Sequence, residues 1–221
     1  MHALLSDIRL VVFDLDGTLV DSVPDLAAAV DTALADLALP MPGEAKVRDW
    51  VGNGSRILME RALEDALGEA PAAAFLDTAH ERFLSRYGEA PCERTRLYSG
   101  VGEALAGLAA SGRRLALVTN KPAAFIAPIL RATGIERYFG MCLGGDSLPR
   151  RKPDPLPLMH VAKHFDVAPA HCLMVGDSRH DIAAGRAAGF RTLAVPYGYN
   201  HGEPVAASRP DEVVESLAEL V

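Results

Sequence analysis

The sequence predicts an α/β protein: a mostly parallel sheet covered by helices on both faces, with a helical unit inserted after the first strand. Three observations lead there. Short apolar runs recur along the chain. After Gly100 they alternate with stretches of helical periodicity. From about Pro24 to Tyr87 no strand-like run interrupts the helical spacing. The 221 residues suffice for a large domain or a pair of small ones.

Leu10–Phe13 is the first predicted strand, an unbroken apolar run of the kind buried on both sides. Helices are expected at about Asp25–Leu37, Glu44–Val51, Ser55–Leu67 and Ala72–Tyr87, with "LPMPGE" and "LGEAP" as turns between them. Within the third, Ile57, Leu58, Ala62, Leu63 and Leu67 recur at helical spacing. The chain would cross near Ser22 and near Gly88–Pro91, so that residues 1–21 and 89–221 form the core and residues 22–88 the inserted unit. Later strands are expected at Leu115–Thr119, Met141–Leu143, Cys172–Val175 and Thr192–Val195. Between them fall helices at Val101–Ala110, Pro122–Ala132, Leu156–Phe165 and Asp181–Ala188, and Asp211–Leu220 reads as a closing helix. Gly112, Gly134 and Gly189 stand where helices should stop.

The net charge of −7 argues against nucleic acid or an anionic membrane surface as partner. No apolar run is long enough to cross a bilayer, and "MHALLSDIRL" lacks the basic flank and apolar core of a signal peptide. Cys92, Cys142 and Cys172 are odd in number and form no CxxC or zinc spacing, which fits a reduced cytoplasmic protein. Oligomeric state is left open.

In an open parallel sheet, ligands sit beyond the carboxyl ends of the strands. Here those ends carry Asp14 and Asp16, then Thr119-Asn120, then "GDSRHD" from Gly176 to Asp181; "RRKP", Arg150 to Pro153, precedes another helix. Two carboxylates roughly 4 Å apart repel by about 4 kcal/mol at an effective dielectric of roughly 20, so Asp14, Asp16, Asp177 and Asp181 gathered together call for a proton or a cation. An all-oxygen donor set suits magnesium completed by a substrate phosphate. Lys152 adds fixed positive charge. The hydroxyls of Thr18 and Thr119, with N–H groups at Leu15, Asp16 and Asn120, are candidates for phosphate oxygens. Asp14 and Asp16, two apart, project to the same side when Leu15 points away. Asp14 can then attack phosphorus, while Asp16 protonates the departing alkoxide and later deprotonates water.

"DLDGT", "VTN", "RKPDP" and "GDSRHD", in that order, resemble the four motifs of the haloacid dehalogenase superfamily in its phosphatase branch. The resemblance implies a Rossmann-like core with a helical cap inserted after the first motif. It implies a nucleophile at Asp14 and an acid/base at Asp16 that also offers magnesium its backbone carbonyl. Phosphate contacts would come from Thr119 and Lys152. Asp177 would be a magnesium ligand, and Asp181 would ligate the ion or hold its waters. Dehalogenating members lack the second acid of the first motif, so Asp16 argues for phosphate chemistry. "DSVPDL", "VGNGSRILMERAL", "VTNKP", "GGDSLPRRKPDPLPL" and "YGYNHG" are similar to the bacterial phosphoglycolate phosphatase family over nearly the whole chain, with Ser99 in "LYSGV" where proline is expected. The implied substrate is 2-phosphoglycolate. Other small phosphate esters, a sugar phosphate or a phosphomutase reaction are the alternatives. A phospho-receiver module shares the acid cluster but is shorter, lacks the insertion and carries its phosphorylated Asp on a later strand.

A small substrate with a carboxylate would need donors from the cap. Arg48, Asn53, Ser55 and Arg56 cluster around "RDWVGNGSR", and Asn53 and Arg56 are the chosen candidates. Asp21 reads as a helix-start residue. His160 and His164 read as a solvated helix face, and His180 receives no role.

Overall fold

The computed structural model describes residues 2–221. The chain begins with strand β1 (Leu10–Phe13) and a short β2 (Val20–Asp21), then helices α1 (Val23–Ala35), α2 (Gly43–Trp50), α3 (Ser55–Leu67) and α4 (Ala73–Glu89). It continues through β3 (Arg96–Leu97), α5 (Val101–Ala110), β4 (Arg114–Val118), α6 (Ile126–Ala132) and β5 (Met141–Leu143). The last elements are α7 (Leu156–His164), β6 (Cys172–Gly176), α8 (Arg179–Ala187), β7 (Arg191–Ala194) and β8 (Glu212–Val213).

The main sheet has the order β5-β4-β1-β6-β7-β8 and every pairing in it is parallel. Its central strand is buried at all four positions because both faces are covered. Leu10 and Val12 pack with Leu158 and Val161 of α7 and Ala184 of α8. Val11 and Phe13 belong to the opposite core with Leu105 and Leu108 of α5 and Ile129 of α6. The two-residue period of a strand thus sorts one apolar run into two cores. This is a Rossmann-like fold. The sheet reverses its winding at β1, which has β4 on one side and β6 on the other, and a crevice opens at the carboxyl ends there.

Helices α1 to α4 fill the stretch where no strand was expected, with α1 packed on α2 and α4, and α3 on α4. The chain enters and leaves this unit through β2 and β3, which pair antiparallel as a separate ribbon, Val20 opposite Leu97 and Asp21 opposite Arg96. Two-residue strands give no periodic signal, so the ribbon was not legible in the sequence.

The expected closing helix over Asp211–Leu220 does not form. The backbone N–H of Asp211 donates to the Thr192 carbonyl at 3.0 Å and that of Val214 to Ala194 at 3.1 Å, so the segment extends the sheet as β8. The Asp211 carboxylate also accepts the Thr192 N–H and hydroxyl, at 2.7 and 2.9 Å. β-Branched Val213 and Val214 suit that edge. Only Leu217–Leu220 coils, as a 3₁₀ turn behind the Ser216–Glu219 capping box. The helix expected from Pro122 starts at Ile126 instead. That start places Pro128 in the first turn, where its missing N–H leaves no bond unmade. Helix α8 starts earlier than expected, because Ser178 and Asp181 form a reciprocal capping box.

Asp25, 4% exposed, fastens the return crossing. Its carboxylate accepts the N–H of Arg94 at 2.9 and 3.0 Å, and the N–H and hydroxyl of Thr95 at 2.7 Å each. Asp25→Ala should destabilise the protein by about 1–3 kcal/mol, the cost of leaving such buried donors unmet, with the urea midpoint as readout. An unchanged midpoint would show that the crossing is held elsewhere.

Candidate active site

Three acids meet in the crevice. Asp14 leaves the end of β1, its N–H donating to the Val175 carbonyl at 3.0 Å. Asp177 follows β6, and Asp181 lies in the first turn of α8. One carboxylate oxygen from each lies within 4.8 Å of the others. Lys152 answers this charge: its Nζ is 2.9 Å from Asp14 Oδ1 and donates to Asp181 Oδ1 at 2.6 Å. Asp181 Oδ2 also accepts the Ser178 N–H and hydroxyl, at 3.0 and 2.7 Å. Asp177 is held by the Thr18 hydroxyl and the Tyr199 N–H, each at 2.6 Å.

Burial raises the Asp14 carboxyl to about 6, with Lys152 opposing and Asp181 reinforcing the shift. Burial, then Asp181 and Asp14, push Asp177 well above the ordinary carboxylate range. Lys152 is raised in turn, because the two acids outweigh its own desolvation.

The donor set fits a hard divalent cation. It is all oxygen, and the backbone crowds the acids. A Cβ on Gly17, whose φ is +87°, or on Gly198 would collide with the Asp177 carboxylate, and one on Gly176 would strike Asp181. Glycine at position 17 is therefore required twice, by its positive φ and by this close approach.

The Asp16 side chain does not join the three. Its Oδ1 accepts from the Ser22 hydroxyl at 2.6 Å, and Lys121 Nζ bridges both its oxygens at 3.0 and 3.1 Å. Asp14 and Asp16 line the same cleft, but each has its own lysine. Thr119 also lines the cleft, its hydroxyl accepting the Lys121 N–H at 3.2 Å. Thr18 was expected on phosphate, yet its hydroxyl is committed to Asp177. The Asn120 side chain likewise donates elsewhere, to the carbonyls of Gly52 at 3.0 Å and Lys152 at 3.1 Å, joining the α2–α3 loop to the core.

The arginines of the insertion do not enter the cleft. Arg56 pairs with Asp77 of α4. Arg48 binds Asp21 through two contacts of 3.3 Å and Glu44 at 3.0 Å. Sequence spacing could not decide which way either guanidinium points. Asn53 contacts His180 Nε2 at 2.7 Å, leaving its Oδ1 buried without a partner. His180 lines the cleft, and burial lowers its pKa to about 4, so it is neutral there. Ser55 lines it too, bonded to His80 at 2.8 Å. An apolar wall of Leu26, Leu58, Phe83, Tyr87 and Phe125 completes the cleft. Lys121 was not singled out from the sequence. Its signal was position alone, next to Thr119-Asn120 at a strand end.

No helix among the described residues is long and apolar enough to cross a membrane. The three cysteines are free.

A family model for haloacid dehalogenase-like hydrolases matches residues 8–189. A phosphoglycolate phosphatase of Nitrosococcus oceani is 46% identical over 98% of this chain and 96% of its own. One of Escherichia coli is 46% identical over 97% of this chain and 92% of its own. Among solved structures, that of a "predicted phosphoglycolate phosphatase" from Haemophilus somnus superposes with a TM-score of 0.93, at 41% identity, covering 98% of this chain and 97% of the other.

A carboxyl that keeps its proton in the folded state stabilises most at low pH. Below the unfolded value near 3.8 that contribution is complete, and it is lost as pH rises through about 6 for Asp14. Chelator-treated protein should therefore lose thermal stability between pH 4 and 7, taken as approximate limits of that window. Added magnesium should raise Tm more above this window than below it. An increase independent of pH would separate the ion from these acids.

Proposed function

This chain belongs to the haloacid dehalogenase-like hydrolases, and we propose that it is a magnesium-dependent phosphatase converting 2-phosphoglycolate to glycolate and phosphate. The observation that carries the reading is the division of labour at the end of β1. Asp14 sits with two other acids and Lys152, whereas Asp16 sits apart with Lys121 and Ser22. Relatives at 46% identity over nearly the full length, named for phosphoglycolate, support the choice of substrate.

Asp14 supplies the nucleophile. Its carboxylate oxygen attacks phosphorus in line with the ester oxygen, forming an acyl phosphate as the P–O bond to the glycolate oxygen breaks. Asp16, in its protonated form, gives that oxygen its proton. It then takes a proton from the water that attacks the phospho-aspartyl group, releasing phosphate and restoring Asp14. Lys152 holds Asp14 and meets phosphoryl oxygens, and the Thr119 hydroxyl is placed to donate to another. Asp14, Asp177 and Asp181, with the backbone carbonyl of Asp16, would hold magnesium. The ion would neutralise charge shared between carboxylates and phosphoryl oxygens. Residues 22–88 act as the cap, whose apolar side chains, together with Phe125 of the core, keep bulk water from the phospho-aspartyl group. The free cysteines support a cytoplasmic setting.

The test is phosphate release from 2-phosphoglycolate by purified protein, abolished by chelation and restored by magnesium. Asp14→Asn should keep the fold by circular dichroism and lose nearly all turnover. Substantial activity in that folded variant would remove the nucleophile.

Asp16→Asn separates the second role. Turnover should fall by about 10²–10⁴ on 2-phosphoglycolate. With an aryl phosphate, whose leaving group needs no proton, a burst of phenol should precede slow phosphate release. A uniform loss without a burst would deny Asp16 both proton transfers.

A further inference from the structure

Lys121 is a cation that the phosphoryl chemistry above does not require. It is 5% exposed and lines the cleft between the α-helical cap and the sheet. Its Nζ lies 3.0 and 3.1 Å from the two Asp16 oxygens and 4.7 Å from the centre of the Tyr87 ring on α4. An ammonium has three N–H groups, and a single carboxylate occupies only part of that capacity.

The chemistry of the substrate supplies the rest. The ester oxygen must reach Asp16 to be protonated. In 2-phosphoglycolate the carboxylate sits on the very carbon that bears this oxygen. With the ester oxygen there, the substrate's carboxylate falls near Asp16, which itself becomes a carboxylate once it has given its proton, and two adjacent carboxylates in a buried cleft then need a cation between them. Among the described residues lining the cleft the lysines are Lys121 and Lys152, and Lys152 is already shared by Asp14 and Asp181. Arg48 and Arg56 are held away by Asp21, Glu44 and Asp77.

We propose that Lys121 binds the substrate's carboxylate and so selects phosphate esters that carry a carboxylate on the carbon bearing the ester oxygen. The assignment rests on the phosphatase reading of the site. It moves acid recognition from the cap to the core: the residue that pairs with the proton donor also reads the leaving group. Tyr87, whose ring lies against the ammonium, closes the far side from the cap.

The test compares kcat/KM for 2-phosphoglycolate, for neutral 2-hydroxyethyl phosphate and for 3-phosphooxypropanoate, one methylene longer. The full-length chain is used with magnesium, as wild type and Lys121→Met. Wild type should prefer 2-phosphoglycolate over both. Lys121→Met should shrink the preference over the neutral ester by roughly tenfold to a hundredfold, the usual effect of losing a charge-assisted hydrogen bond. Equal losses on both esters would mean that Lys121 only steadies Asp16, and would overturn the proposal. If Lys121→Met does not fold, the wild type still decides: turnover of the longer acid as efficient as that of 2-phosphoglycolate would show that no cation reads the carboxylate at this place. A wild type that hydrolyses phosphate esters without preferring 2-phosphoglycolate would overturn the substrate reading and the role of Lys121 together. A preference that survives in Lys121→Met would overturn Lys121 alone.

Discussion

Mutual repulsion among buried carboxylates is the constraint around which this molecule is arranged. Asp14, Asp177 and Asp181 bring oxygens within 4.8 Å of one another where solvent cannot screen them. Lys152, itself 3% exposed, is the fixed counter-charge, and the remaining groups each restrain one acid. Ser178 fixes Asp181, while Thr18 and Tyr199 fix Asp177. Such an assembly disfavours its own charged state without a cation, which leaves it preorganised to take one. The rigid part of the fold supplies the precision. Asp14 and Asp177 continue directly from adjacent parallel strands, so the register of β1 on β6 sets their separation.

Asp16 shows how two identical side chains two residues apart acquire different chemistry. The backbone turns after Asp14, through Gly17, whose N–H donates to Val20 at 2.9 Å. Asp16 therefore faces Ser22, Lys121 and the apolar wall rather than the acid cluster. One acid lives in a field of like charge, the other in an ion pair at the mouth of the cap. Environment, not residue type, is what separates the nucleophile and proton-carrier roles proposed for them.

Helices α1 to α4 and the loops between them meet the rest of the chain through polar contacts at several points. Asn120 reaches Gly52, Asn53 reaches His180, and His201 Nδ1 lies 2.9 Å from the Asp49 carbonyl. Behind them one apolar cluster runs from these helices into the face of the sheet, with the Tyr87 and Phe125 rings edge to face at 4.9 Å. A closed cleft with an apolar wall also makes the paired charges within it count for more than they would in water.

The sequence by itself determined the sheet, the inserted helices and the acids at the strand ends. Those features rest on local signals: unbroken apolar runs, helical spacing and polar residues where each run stops. Motif order was equally legible, because Asp14, Asp16, Lys152, Asp177 and Asp181 stand in fixed relation to predicted strands and helices. Tertiary structure decided what local pattern cannot encode. Val213 and Val214 became an edge strand because β7 offered unpaired backbone groups. Thr18 was drawn to Asp177 rather than left free for phosphate, and Arg48 and Arg56 found carboxylates outside the cleft. Lys121, one of four lysines in the sequence, was carried by the end of β4 to Asp16, across 105 residues of chain. Hydrogen-bond partners and side-chain directions depend on which surfaces meet in space, and that is settled only when the two units pack together.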